Sequence, residues 1–273
     1  MPASSFGPRT VLVTGASSGI GQATARFFVQ RGARVFGTSR TPRPDPYGVE
    51  MLPLDLRDQE SVQECVDAVL ARAGRIDVLV NNAGVMQEGF TEETTLTDAQ
   101  AVMDTNFFGA VRVTRAVLPG MREHRQGRIL NVGSLAAWVG EPGEGFYAAS
   151  KAALARYTES LRHEVWHLGI QVALVEPGAF TTGVLGSATT TPNTSIPDYD
   201  GPREAARQTL HQALQEGGNL SKAAERICAV ARLPALRGRY GTGRGTIAVP
   251  LLKTLLPQRS FDALLRRGYR LPP

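Results

Sequence analysis

Apolar residues fall into two alternating patterns along this chain. Six short runs are apolar almost throughout: "TVLVTG" (10–15), "ARVFGTS" (33–39), "VEMLPLD" (49–55), "IDVLVNNAG" (76–84), "GRILNVGS" (127–134) and "IQVALVEPG" (170–178). Their length and β-branched content suit strands, and strands without a polar face are buried on both sides. Between them the apolar residues recur every three to four positions over 20–30, 59–72, 98–118 and 147–167, which predicts helices. Strands joined through helices of that length pair in parallel. The pattern therefore predicts an α/β fold, a doubly wound parallel sheet with helices on both faces. It loosens after Pro177, where "TTGVLGSATTTPNTSIPDYDGP" (181–202) is rich in Thr, Pro, Gly and Ser and reads as a long surface loop. Residues 1–273 then form one domain, with a core over 9–182, a loop and helices over 183–236, and a C-terminal extension with short helices over 237–273.

At 273 residues and 42% hydrophobic, the chain can bury a sizeable core as one α/β domain. Cys65 and Cys228 lie far apart with no C-x-x-C, so buried free thiols are expected rather than a disulfide or a metal site. The N-terminus lacks a secretory apolar run and no stretch reaches the roughly 18 apolar residues of a membrane span, so a cytoplasmic protein is expected. Charge changes the picture in one region. The net charge is +5, and from Arg232 to Pro273 nine Lys or Arg stand against a single acid, Asp262. Such a tail can meet anionic lipid or nucleic acid, but it offers only Tyr240, Phe261 and Tyr269 for base stacking. Solvated charge on short helices is expected, and no nucleic-acid partner.

Where the first strand ends, the sequence is "TGASSGIG" (Thr14–Gly21). Gly15 permits the tight turn, Gly19 lets the backbone approach a pyrophosphate, and Gly21 lets the helix sit close to the strand. Ser17, Ser18 and Ile20 complete the turn, and the helix N-terminus offers free N–H groups to the phosphates. Together with "NNAG" (81–84), Ser134, Tyr147 and Lys151, this segment resembles the short-chain dehydrogenase/reductase family, in its shorter T-G-x-x-x-G-x-G branch. The similarity is close over about 9–182 and loose in the C-terminal third.

The resemblance implies a Rossmann-type fold, a nicotinamide cofactor and hydride transfer between that cofactor and a ketone or secondary alcohol. In the family, users of NAD tend to carry an aspartate at the end of the second strand. Here Ser39 holds that place with Arg40 beside it, and a neutral hydroxyl next to a guanidinium suits a 2′-phosphate. NADP(H) is therefore expected over NAD(H). Asp55, followed by Leu56, resembles the acid that contacts the adenine amine. Asn82, Ala83 and Gly84 resemble the backbone beside the adenine ribose, and Pro177, Gly178 and Thr182 the segment bordering the nicotinamide.

"YAASK" places Tyr147 and Lys151 four apart, on one face of a helix. Reduction of a ketone needs a proton delivered to oxygen by a group with a pKa near working pH. A lysine ammonium nearby is expected to bring the tyrosine down from its usual value near 10. Only Lys151, Lys222 and Lys253 break the chain's preference for arginine, so a compact ammonium is needed at 151. By resemblance Ser134 positions the substrate oxygen, and Asn106 holds a water that links the lysine to solvent. With all four catalytic positions filled, a non-catalytic NADPH-binding regulator is the alternative that would have lost one of them.

Residues 163–167 read "HEVWH", the spacing that places two imidazoles on one helix face for zinc. The extended form fails, because Ile170 stands where its glycine should be. On a continuous helix His163 also lies roughly 18 Å along the axis from Lys151. The segment instead ends the helix and turns through Gly169 into the next strand, and no metal is expected. Met86, Leu135, Trp138, Val139, Phe146, Val184 and Leu185 are candidates for an apolar substrate wall, which the 181–220 segment would complete. Beyond Gly238 the tail resembles those of hydroxysteroid-dehydrogenase-like members of the family, so a bulky hydrophobic ketone or secondary alcohol is expected. It departs from the sheet-edge ending of the family's ketoacyl reductases, so a tetramer built on that edge is in doubt. A homodimer packed through the helices near 98–118 and 147–168 is what the resemblance implies.

Overall fold

The computed structural model describes residues 9–180, 189–190 and 195–272. The first half runs β1 (Thr10–Val13), α1 (Gly19–Val29), β2 (Arg34–Ser39), β3 (Glu50–Pro53), α2 (Gln59–Ala73) and β4 (Val78–Asn81). A two-residue strand β5 (Gln87–Glu88), α3 (Leu96–Met103), α4 (Gly109–Glu123), β6 (Gly127–Val132), α5 (Gly145–Glu164) and β7 (Ile170–Pro177) follow. Then come β8 (Thr189–Thr190), α6 (Asp200–Gln215), α7 (Leu220–Arg232), β9 (Arg239–Thr242), α8 (Ala248–Leu255) and α9 (Gln258–Gly268).

Seven parallel strands form one sheet in the order β3-β2-β1-β4-β6-β7-β9. Alternate residues of β1 point to opposite faces, as a period of two requires. Val11 and Val13 join Phe28 of α1 and Ile227 and Cys228 of α7 in one core. Leu12 joins Val66 of α2, Met121 of α4 and Leu161 of α5 in the other. The sheet is thus covered on both faces, which is why its strands carry no polar stripe. After β3 the chain returns to the far side of β1 to lay down β4. The strand order therefore reverses between β1 and β4, and the crevice beyond their C-terminal ends is where such sheets bind ligands.

Several boundaries differ from those expected. The single helix predicted over 98–118 is two helices joined by a π-turn over Asp104–Phe108, in which the Gly109 N–H bonds back to the Asp104 carbonyl. α4 then continues past Pro119 to Glu123, because Met121 beyond the proline is buried in the core. α5 stops at Glu164, a 3-10 turn covers Trp166–Leu168, and Gly169 at φ 74° leads into β7. His163 and His167 consequently do not share one helix. Within the segment expected as loop, β8 pairs with β5 and α6 begins at Asp200; residues 181–188 and 191–194 lie outside the described residues. The tail supplies a seventh strand, β9, at the sheet edge beside β7, and then runs on through α8 and α9. Tyr240 anchors this strand, its hydroxyl accepting the Arg237 N–H at 2.7 Å. Beyond it, Phe261 and Tyr269 are buried, while Ile247, Leu251 and Leu255 lie exposed along one side of α8. No described helix is long and apolar enough to cross a membrane.

Candidate active site

The crevice between β1 and β4 is lined first by the glycine turn. Gly15 has φ 67°, and a Cβ there would stand 2.8 Å from the Ala83 Cα. A Cβ on Gly21 would collide with the Gly15 carbonyl and the Asn82 amide. Ser18 caps α1 in position only, since its side chain makes no capping bond and leaves the first-turn N–H groups for a ligand. Thr14 fastens the turn to β4, with its Oγ1 accepting from the Asn82 and Ala83 N–H groups at 3.0 and 3.1 Å. The Asn82 amide donates to the Thr14 carbonyl at 3.0 Å. A backbone cradle that no side chain fills, beside an uncapped helix start, fits a pyrophosphate.

The base end lies at the tip of β2. The Ser39 hydroxyl is buried without a hydrogen-bond partner, and Arg40 beside it is exposed. Asp55 gives its carboxylate to Arg57, at 3.3 Å from Nε and 3.1 Å from Nη2. That hydrogen bond, opposed by burial and aided by the charge of Arg40, holds Asp55 below the usual carboxylate range. An adenine amine would have to share the carboxylate with Arg57. Leu56 is buried, with its carbonyl accepting from Arg112 at 3.0 Å.

At the other end of the crevice the fold gathers Gly84, Asn106, Ser134, Tyr147 and Lys151. Asn106 sits in the π-turn, fully buried, and clamps Val85: its Oδ1 accepts from the Val85 N–H at 2.8 Å and its Nδ2 donates to the Val85 carbonyl at 2.9 Å. The same amide reaches Ser150 at 3.0 Å. Its side chain is therefore committed to protein partners, and any water it helps to hold would rest on the turn's backbone. The Lys151 ammonium donates to the Val132 carbonyl at 3.0 Å and stands 5.8 Å from the centre of the Tyr147 ring. Burial brings it down to about 8. Ser134 caps the short turn after β6 by accepting from the Ala136 N–H at 3.1 Å, and its hydroxyl is hydrogen-bonded to Tyr147.

Tyr147 does not show the lowered pKa expected from Lys151. Burial pushes the phenol up to about 12, the Ser134 bond opposes this, and the charges of Glu144 and Glu141 add to the rise. No motif in the sequence marks those two acids. Glu144 begins α5 one turn before Tyr147, is 3% exposed, and has an Oε1 with no hydrogen-bond partner. Burial and the charges of Glu141 and Glu88 push it up to about 8. Burial also raises Glu141, against a hydrogen bond from the Tyr269 hydroxyl at the end of α9. The only signal in the sequence was an acid three residues before the tyrosine, which in a glycine-rich loop looks like a solvated charge.

Of the apolar candidates, Met86 and Val139 are buried, and Leu135 and Phe146 partly so. Trp138 is turned to β7, donating from Nε1 to Glu176 at 3.0 Å beneath the Arg239 guanidinium. Pro177 ends β7, and the Gly178 N–H donates to the Thr242 carbonyl at 2.9 Å. Thr182, Val184 and Leu185 lie outside the described residues. No group of three or more His, Cys, Asp or Glu among the described residues is placed to hold a metal ion.

The sequence profile of the family described as short chain dehydrogenase matches residues 9–193. A protein of Bacteroides thetaiotaomicron named 3-ketodihydrosphingosine reductase is 40% identical over 208 residues, covering 76% of this chain and 75% of its own. The crystal structure of a short-chain dehydrogenase from Streptomyces avermitilis superposes with a TM-score of 0.82 at 35% identity, over 97% of both chains. One from Burkholderia phymatum, in complex with NAD, superposes with a TM-score of 0.79 at 26% identity, over 98% of both.

Proposed function

The chain belongs to the short-chain dehydrogenase family, and from that premise we propose an NADPH-dependent carbonyl reductase and alcohol dehydrogenase acting on a bulky, hydrophobic ketone or secondary alcohol. One observation carries the proposal: Ser134, Tyr147 and Lys151 converge at one end of a crevice whose other end is a phosphate cradle. The nicotinamide, when bound, supplies or accepts the hydride at the carbonyl carbon. The remaining work falls to side chains of this chain. Ser134 orients the substrate oxygen, and Tyr147, a neutral phenol at working pH, donates the proton that reduction requires. Lys151, held by Val132, supplies a nearby ammonium without occupying the substrate's place.

Preference for NADPH rests on the unpartnered Ser39 hydroxyl and the exposed Arg40 guanidinium. Arg40→Asp should reduce kcat/KM for NADPH by on the order of ten- to a hundredfold relative to NADH. Equal use of both cofactors by the unaltered protein would sink that preference. The apolar residues Met86, Val139, Leu135 and Phe146 support a large hydrophobic substrate, as does the name of the Bacteroides relative. The decisive experiment follows NADPH consumption over ketones from small diketones to long-chain and polycyclic ones, with Tyr147→Phe as the control. Turnover should concentrate on the bulky ketones and fall by on the order of 10²–10⁴-fold in the variant, while cofactor binding persists. Turnover that survives in Tyr147→Phe would remove the tyrosine from the mechanism.

A further inference from the structure

A short surface helix ordinarily turns its apolar side to the core and its charges to water. α8 does the reverse. Its one charged residue, Lys253, is half-buried, with Nζ 4.7 Å above the ring of Phe261 in α9. Ile247, just before the helix, is 82% exposed, and Leu255, at its end, is 70% exposed. Ala248, Leu251 and Leu252 are exposed as well. At 3.6 residues per turn these five positions share an arc of about 140°. The outward face of α8 is therefore apolar along its length, with Thr254 at its edge. Single apolar residues scattered on a surface need no explanation, whereas a continuous apolar face marks a place that something covers.

Charge and size say what covers it. In the same tail Arg239 is engaged by Glu159 and Glu176. Arg244 before α8, Arg259, Arg266 and Arg267 on α9, and Arg270 just beyond are instead exposed, with no ion pair among the described residues. On α9 these arginines stand beside Leu264, which is exposed too. A second copy of the chain seated here across a two-fold axis would bring like charges together. α8 has 8 residues, a strip about 12 Å long and 10 Å wide, against the roughly 800 Å² per partner of a standard interface. A lipid surface meets neither difficulty: headgroup phosphates take the guanidinium groups while the apolar face enters the acyl boundary.

We propose that α8 and α9 dock this protein on the surface of an anionic lipid bilayer, with Ile247, Leu251, Leu252 and Leu255 among the acyl chains and the arginines of α9, with Arg244, among the headgroup phosphates. The docking unit adjoins the reacting end of the crevice. A Cβ on Gly245, at the entry to α8, would stand 3.1 Å from the Leu135 Cδ2, and Leu135 follows Ser134. At the far end of the unit the Tyr269 hydroxyl, after α9, is hydrogen-bonded to Glu141. A hydrophobic ketone of the kind proposed above would then meet the crevice beside the bilayer that holds it. The docking itself does not depend on that activity.

The test is co-sedimentation of the full-length protein, without cofactor, with vesicles of phosphatidylcholine alone and of phosphatidylcholine mixed equally with phosphatidylglycerol. Binding should be confined to the anionic vesicles and should weaken between about 0.05 M and about 0.5 M salt. Arg266→Gln with Arg267→Gln should weaken it by on the order of ten- to thirtyfold. Ile247→Gln with Leu255→Gln should do so by on the order of tenfold or more. All four positions are exposed, and an unchanged thermal midpoint confirms that each variant folds; for a variant that does not, the lipid and salt dependence of the unaltered protein decides. Binding to neither vesicle, equal binding to both, or binding undiminished by the loss of Ile247 and Leu255 overturns the docking. So does a dimer in lipid-free solution that Ile247→Gln with Leu255→Gln converts to monomer, since a second copy would then cover the face. Turnover with NADPH, measured in parallel, judges the reductase separately: its absence with vesicle binding intact removes the activity and leaves the docking standing.

Discussion

At Tyr147 the local environment works against ionisation. Burial and two carboxyls outweigh the hydroxyl of Ser134, and the ammonium of Lys151 is engaged elsewhere. The phenol is thus held as an acid, which suits reduction more than oxidation. Glu144→Gln should lower its pKa, because the lost charge is one of those raising it. The effect belongs above about pH 8, where Glu144 is ionised. An absorbance titration of tyrosinate, or the alkaline limb of the rate for alcohol oxidation, should move to lower pH. A shift upward, or none, would deny the contact. Stability should respond to the same residue. A carboxyl raised from an ordinary 4.5 to about 8 favours the folded state below the lower value, and that contribution is lost as pH rises to the upper one. Thermal midpoints should therefore decline from about pH 5 to about pH 8, and less steeply in Glu144→Gln. Tyr147 and Lys151 could be found in the sequence because spacing alone puts them on one helix face. Glu144 could not, because its surroundings are set by residues from the end of α9 and from β5 that no local pattern connects.

Among the elements, the π-turn between α3 and α4 shows what periodicity misses. A run of apolar residues at helical spacing reads as one helix, and one widened turn barely disturbs the period. Yet that turn buries Asn106 and aims its amide at Val85, which fixes the segment carrying Gly84 beside Lys151. Asn106→Ala removes both bonds to Val85 and the one to Ser150. We expect a loss of about 2–4 kcal/mol in urea unfolding, together with a fall in turnover as Val85 is freed. A loss below 0.5 kcal/mol, the ordinary range for a surface site, would show the clamp to be incidental. The strands were legible in β1, β2, β4, β6 and β7, since both faces of each are apolar. β9 was not, because four residues with a glycine among them are too few to show a period. The end of α5 was misplaced for a related reason: H-E-V-W-H keeps helical spacing, although Val165 turns inward and the chain leaves the helix there.

For the molecule as a whole, the α/β class and the two covered faces followed from apolar runs alternating with amphipathic stretches. The crevice at the reversal of strand order followed from the glycine turn. What stays exposed bears on assembly. Phe108, beside α4, is 48% exposed next to Phe107, whose ring meets Tyr157 of α5 edge-on at 6.0 Å. A homodimer packed through α4 and α5 would cover it. Sedimentation should show a dimer that Phe108→Glu shifts towards monomer, and a monomer in the unaltered protein would remove this interface. The seventh strand has a different consequence. Gly178, which follows β7, is held by the Thr242 carbonyl and lies directly against that of Arg244. A ribosome delivers the glycine turn first and this closing wall more than two hundred residues later. Nascent chains halted before β9 would carry Ser134, Tyr147 and Lys151 and still lack a finished crevice wall, so a bound nicotinamide cofactor could shelter only molecules whose translation had passed it.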